Sequence, residues 1–210
     1  MNERVAIFGG SFDPIHHGHL LLAQDAVELL QLDRLVFVPA WINPHKLEVA
    51  PQAPPQLREL MLESAVAGME PFSVDPLELE RRGPSFTFDT VKTFQTRWPG
   101  AQIFLLLGED NLPKLHTWHR FADLQQAVTF VVFGRGTTTL LPPEVDPGRL
   151  VRLPRRVDIS STEIRQRIAR GLPIRYLVPE SVRLLIQSHA LYQSPEQPGT
   201  RAPVCRGGPR

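Results

Sequence analysis

Val5-Ala6-Ile7-Phe8-Gly9-Gly10-Ser11-Phe12-Asp13-Pro14-Ile15-His16-His17-Gly18-His19 runs from an apolar strand into two glycines, a hydroxyl, and two histidines set around a glycine. Each part suits the holding and polarising of a phosphate. Gly9 and Gly10 let the backbone approach a ligand closely and adopt conformations closed to other residues. Ser11 adds a hydroxyl. The spacing after His17 predicts a helix, whose first N–H groups and dipole favour an anion. His16 and His19 place two imidazoles at that helix entrance. A glycine pair alone is common turn chemistry; the whole run, strand to His-x-Gly-His, is far more specific. Asp13-Pro14 reads as turn chemistry, with Asp13 shaping the loop and taking no part in a reaction.

The chain has 210 residues, enough for one substantial core or a domain with a small appendage. Apolar residues make up 42 %, as in ordinary globular proteins. A net charge of +1 gives no electrostatic argument for nucleic acid or a membrane surface. The one cysteine, Cys205, rules out a disulfide within the chain and suits a reducing, cytoplasmic location. Met1-Asn2-Glu3-Arg4 leads straight into a strand, so no signal peptide is expected. Apolar runs such as residues 103–107 are far shorter than the ~20 residues of a membrane span.

Residues 5–8 are expected as a buried strand. Residues 17–30 have helical spacing, with Ala23, Ala26, Val27 and Leu30 on one face. A second strand at 35–39 completes a strand-helix-strand unit that favours parallel pairing. After a proline-rich loop over 40–55, a helix opens at Pro55 with Leu57, Leu60 and Met61 inward. Further strands are expected at 72–74, 103–107, 128–133 and 150–153, and helices at 86–98, 121–126, 160–170 and 179–189. Val91, Phe94 and Trp98 align on the helix at 86–98, and residues 135–147 read as loop. The alternation predicts an α/β fold with a doubly wound, mostly parallel sheet and a small C-terminal helical part. Residues 1–193 are expected as a single domain and 194–210, rich in Pro, Gly and Arg, as a disordered tail. Ligands in such sheets bind at the carboxyl ends of strands. The segments at 9–19 and 108–110 both leave such ends, so both are expected to border one crevice.

A second constellation, Asp158-Ile159-Ser160-Ser161-Thr162-Glu163-Ile164-Arg165, is first a helix start: Ser160 as N-cap with Glu163 three residues on makes a capping box. The same stretch offers N–H groups, hydroxyls and Arg165 one turn in. Arginine suits phosphate because its charge is permanent and its planar fork matches phosphate oxygens. Both readings can hold together.

With these two motifs the chain resembles the nucleotidylyltransferase superfamily, which has an HxGH signature early and an ISSTxxR signature late. Within it, the chain is similar to bacterial nicotinate-nucleotide adenylyltransferases over roughly residues 4–192. The intermediate segments that match are Asn43-Pro44-His45-Lys46, Pro84-Ser85-Phe86-Thr87, Gly108-Glu109-Asp110 and Thr117-Trp118-His119. Asn43 stands where the family usually has proline; His45 and Lys46 are retained. The resemblance implies a Rossmann-like nucleotidylyltransferase fold. It also implies a reaction joining ATP and nicotinate mononucleotide to give nicotinate adenine dinucleotide and pyrophosphate, in NAD biosynthesis.

The resemblance further implies His16, His19 and Arg165 as catalytic. It implies Gly9, Gly10, Ser11, Phe12, Gly18, Gly108, Asp110, Ile159, Ser160, Ser161 and Thr162 as ATP contacts. Ser11, His45, Lys46, Ser85, Thr87, Trp118 and His119 are implied on the mononucleotide, with Trp118 stacking on the pyridine ring. Asp110 would hold ribose or support the metal; the plainer reading of Glu109 and Asp110 is a cap for the helix that follows. Arg135 could touch phosphate, though a solvated loop arginine is the plainer reading. Mg²⁺ is expected through the ATP phosphates, with no dedicated protein metal site. ATP and nicotinate mononucleotide are the expected partners, without nucleic acid or membrane; a homo-oligomer is compatible with the sequence.

Three other readings stay open. Phosphopantetheine adenylyltransferases share the early signature but are typically shorter and usually have threonine at the place of His16. A nicotinamide-mononucleotide adenylyltransferase differs only by an amide for a carboxylate in its substrate. A non-catalytic nucleotide-binding module would not need His16, His19 and Arg165 together.

Overall fold

The computed structural model describes residues 2–42, 44, 51–134 and 141–194. His45, Lys46, Arg135 and the expected tail from residue 195 onward lie outside the described residues. Among the described residues six strands form one sheet in the order β3-β2-β1-β4-β5-β6, and every pairing is parallel. They are β1 (Arg4–Gly10), β2 (Arg34–Pro39), β3 (Phe72–Val74), β4 (Gln102–Gly108), β5 (Thr129–Phe133) and β6 (Leu150–Leu153). The helices are α1 (His17–Leu30), α2 (Pro55–Val66), α3 (Leu77–Arg81), α4 (Thr87–Arg97), α5 (Phe121–Ala127), α6 (Ser161–Ala169) and α7 (Glu180–Ser188). A 3₁₀ segment, Glu109–Thr117, follows β4.

Both faces of the sheet are covered, which is why its strands read as unbroken apolar runs. Alternate side chains divide between two cores. Ala6, Phe8, Leu35, Phe37, Phe104 and Leu106 pack with α1, α2, α6 and α7. Val5, Ile7, Val36, Val38, Ile103 and Leu105 pack with α4 and α5. The strand order reverses between β1 and β4, so the crevice at their carboxyl ends is where this architecture places a ligand.

Two expectations change. The strand at 5–8 runs on through both glycines, because Gly9 and Gly10 stay in register with Val38 and Pro39 of β2. The inward face of α2 is Arg58, Met61, Leu62 and Val66; Leu60 is 40 % exposed and Leu57 half-buried. The helix phase follows Arg58, which is 1 % exposed. Its Nη1 donates to the carbonyls of Ser11 and Ala40, both at 2.8 Å. α3 and the 3₁₀ segment over residues 109–117 are additional short elements.

Arg58 thus ties the loop after β1 to the end of β2. Arg58→Met leaves two buried carbonyls without that donor and is expected to destabilise the protein by about 2–4 kcal/mol. Urea unfolding measures this, and a loss below about 0.5 kcal/mol, the range of an ordinary surface change, contradicts the assignment.

Candidate active site

A cavity of about 500 Å³ opens at the carboxyl ends of β1 and β4. This is a usual size for a small-molecule site. Every site residue expected from the sequence and lying within the described range borders it. The segments after β1 and β4 meet there, as the strand-end argument anticipated, and the start of α6 joins them. Pro44 reaches its rim, while its neighbours His45 and Lys46 are outside the described residues.

His16 and His19 lie at the start of α1 with their rings stacked, centroids 3.7 Å apart and planes 24° from parallel. His16 is the N-cap of α1 in extended backbone, and its carbonyl accepts the His19 N–H at 2.9 Å. Gly18 allows this arrangement. A Cβ there would stand 2.9 Å from His16 Nδ1 and 3.1 Å from Val157, too close for any ordinary side chain. The His19 ring also meets Phe8 and Phe12 edge-on at 5.9 and 5.1 Å.

Burial in this setting disfavours charge on either imidazole. The pKa of His16 falls to about 4, chiefly through desolvation and then through the neighbouring His17. Desolvation, with His16 adding to it, holds His19 well below its ordinary value. Both rings are therefore neutral at pH 7. Nδ1 of each is buried with no partner in the protein, and both residues border the cavity.

α6 approaches from the other side. Ser160 caps it, its Oγ accepting the Glu163 N–H at 3.2 Å as a capping box requires. Ser161 Oγ donates to the Pro14 carbonyl at 2.8 Å, and Arg165 Nη2 donates to Thr162 Oγ1 at 3.3 Å. These three hydroxyls thus have partners within the protein. The first-turn N–H groups and the Arg165 guanidinium are the cationic and dipolar features that α6 brings to the cavity.

Arg165 is held by the loop it faces. Its Nη1 donates to the Asp13 carbonyl at 2.7 Å and stands 3.8 Å from Asp13 Oδ2. Asp13 is 4 % exposed. Its carboxylate accepts the N–H groups of Gln52 at 2.8 Å and Ala53 at 3.0 Å and the Tyr192 hydroxyl at 2.7 Å. The residue shapes the loop, as its turn position suggested.

Another part of the cavity lining is aromatic and polar. Thr87 opens α4 behind Phe86, whose ring lies 4.6 Å from that of His119. Trp118 follows the 3₁₀ segment and borders the same space. Ser85 Oγ accepts the Trp41 N–H at 3.0 Å. Both Ser85 and Thr90 hydrogen-bond the buried Glu78 carboxyl, whose pKa burial raises. Gly108 and Asp110 border the cavity at the end of β4, and Asn111 Nδ2 donates to the Gly108 carbonyl at 3.1 Å. Gly108 holds the N-cap position with no side-chain cap, and Glu109 pairs with Arg152 of β6 at 3.0 Å instead of capping.

Arg58, Glu78 and Tyr192 support this site without having been expected there. Glu78 sits seven residues before Ser85 in an acidic run that reads as solvated surface. Tyr192 stands next to the compositional break into the Pro- and Gly-rich tail, where an isolated aromatic is the available signal. Among the described residues no group of three or more His, Cys, Asp or Glu is placed to hold a metal, and no helix is long and apolar enough to cross a membrane.

The cytidylyltransferase-like family model matches residues 7–167. A probable nicotinate-nucleotide adenylyltransferase of Exiguobacterium sibiricum is 43 % identical over 189 residues, covering 90 % of this chain and 98 % of the relative. One from Gemmatimonas aurantiaca is 43 % identical over 197 residues, covering 90 % and 92 %. In structure, the Plasmodium falciparum nicotinic acid mononucleotide adenylyltransferase complexed with NaAD matches with a TM-score of 0.72 at 20 % identity, over 91 % of this chain and 98 % of that one. At that identity the likeness speaks for the fold. The two motifs, the sheet order and the curated relatives agree: the chain belongs to the cytidylyltransferase-like family and, within it, to the nicotinate-nucleotide adenylyltransferases.

Proposed function

We infer that this chain joins ATP and nicotinate mononucleotide, forming nicotinate adenine dinucleotide and releasing pyrophosphate. The observation that supports this most is the convergence of the neutral His16–His19 pair and the Arg165 end of α6 on one cavity, with Trp118 and Thr87 bordering the same space. The first set suits a triphosphate, and the second suits an aromatic ring bearing a carboxylate.

The mononucleotide phosphate is already ionised at neutral pH, so its oxygen attacks the α-phosphorus without a strong base. The new phosphorus–oxygen bond forms as the bond to the β-phosphate bridging oxygen breaks, and the electron pair leaves on pyrophosphate. Catalysis is then alignment and stabilisation of developing charge. His16 and His19 act as neutral N–H donors to phosphate oxygens. Stacked at 3.7 Å, two neutral rings can serve one polyanion without repelling each other, which two imidazolium rings could not. Arg165 supplies the permanent positive charge, and the α6 N–H groups add their dipoles to the β- and γ-phosphates.

Asp110 is the carboxylate at the exposed edge of the cavity, and the Asp13 carboxylate is already engaged by protein donors. This sparse donor set fits Mg²⁺ held mainly by phosphate oxygens, since that ion keeps waters and takes few carboxylates. Bound in that way, it neutralises phosphate charge. At the other end, the pyridinium ring meets the face of Trp118, and the α4 start at Thr87 and the His119 backbone receive the carboxylate.

His19→Ala is expected to lower kcat by about 100-fold or more, the usual loss for one charge-stabilising donor, with the fold intact by circular dichroism. Near-normal turnover removes His19 from the mechanism. Trp118→Ala is expected to raise the mononucleotide KM about tenfold, a typical loss for one aromatic stack, and to leave the ATP KM nearly unchanged. Steady-state kinetics with each substrate varied in turn separates the two, and equal effects on both KM values contradict stacking on the pyridine.

A further inference from the structure

Tyr192 comes from the far end of the chain to touch the first loop of the site, 179 positions away in sequence. It does not border the cavity, but its hydroxyl donates to Asp13 Oδ1 at 2.7 Å. The backbone that brings it there is unusual. After α7 ends, Ala190 and Tyr192 adopt positive φ of 48° and 62°, a left-handed conformation that residues with a Cβ avoid. Such backbone persists where tertiary contacts over-determine it. The phenol's bond to a buried carboxylate is a contact of that kind.

The Asp13 carboxylate stands between cations. Buried Arg58 is near enough to feel its charge, and the Arg165 guanidinium stands 3.8 Å from Oδ2. Two backbone N–H groups reach it from residues 52 and 53. How strongly Asp13 draws Arg165 inward depends on how fully its charge is met by other donors. A phenol meets it without adding a competing cation. Burial and the Asp13 charge push the Tyr192 pKa upward, so the hydroxyl remains a donor throughout the neutral range.

We propose that Tyr192 is a positioning residue whose hydroxyl, acting through Asp13, keeps the Arg165 guanidinium turned toward the triphosphate end of the cavity. The proposal rests on the reading above in which α6 receives the ATP phosphates. Without the hydroxyl, the carboxylate is less satisfied and draws Arg165 closer to itself and away from the phosphates. ATP binding suffers, and the mononucleotide end does not.

Tyr192→Phe keeps the ring and removes one oxygen. Calorimetric titration with Mg·ATP is expected to show about a fivefold loss of affinity, the value of one ordinary hydrogen bond, while the mononucleotide KM stays within about twofold, less than any such bond is worth. In an Arg165→Lys background the same change adds little further loss, because the group being positioned is already gone. Unchanged ATP affinity, equal losses at both substrates, or a fully additive loss in the Arg165→Lys background overturns the proposal.

A second readout needs no substitution. Fluorotyrosine labelling marks two residues, Tyr176 and Tyr192. Tyr176 is 86 % exposed and away from the cavity lining, so it is an internal reference. Mg·ATP is expected to shift the ¹⁹F signal of Tyr192 and leave that of Tyr176 in place; an unmoved Tyr192 signal contradicts the coupling. The calorimetric and ¹⁹F readouts follow ATP binding and need no turnover. Absence of turnover with nicotinate mononucleotide would overturn the functional reading and leave them to judge Tyr192.

Discussion

The buried carboxylate of Asp13 accepts hydrogen bonds from the 51–53 segment and from Tyr192 near the C-terminal end of the described chain, and it lies beside Arg165 of α6. A carboxylate taken out of water is stable when its oxygens are met by donors or a cation. Hydrogen bonds to a charged group are each worth about 1.5–3 kcal/mol, so these contacts cannot be exchanged for water without loss. Arg58 fixes the same loop from beneath through the Ser11 and Ala40 carbonyls. Ser161 adds a third tie at Pro14. The loop that presents the histidines is therefore set by partners from both ends of the chain, and glycine freedom has a smaller part in it.

This arrangement divides the electrostatic labour. The histidines are stripped of charge chiefly by burial, with His17 adding to it at His16 and His16 at His19, which leaves them as short, directional donors. Arg165 holds permanent charge where solvent still reaches it, its side chain being 17 % exposed. A cavity that already contained two imidazolium rings would bind a polyanion tightly before reaction as well as during it. Donors that gain most as the leaving pyrophosphate builds charge favour the transition state over the ground state. Gly18 is the steric condition for the pair, since the His16 ring occupies the space of its missing side chain.

Much of this was readable in the chain. The α1 limits at 17 and 30, the strands at 72–74 and 150–153 and the crevice shared by the segments after β1 and β4 all follow from local pattern. What local pattern misses is long-range. Gly9 and Gly10 look like loop but are strand, because β2 supplies their pairing. Arg58 looks like surface but is core, because an apolar-period argument assigns an arginine outward and the carbonyls it serves lie 18 and 47 positions away. The Glu78–Ser85–Thr90 cluster and the Tyr192 contact are likewise side-chain meetings that no periodicity encodes.

A cavity bordered by His16, His19, Arg165 and Trp118 is suited to joining two particular substrates. Pyrophosphate release tests it most directly, with ATP and Mg²⁺ present and nicotinate mononucleotide, nicotinamide mononucleotide and phosphopantetheine supplied in parallel. Release is expected to be rapid with nicotinate mononucleotide and much slower with the other two. Preference for phosphopantetheine, or release with none of the three, would contradict it.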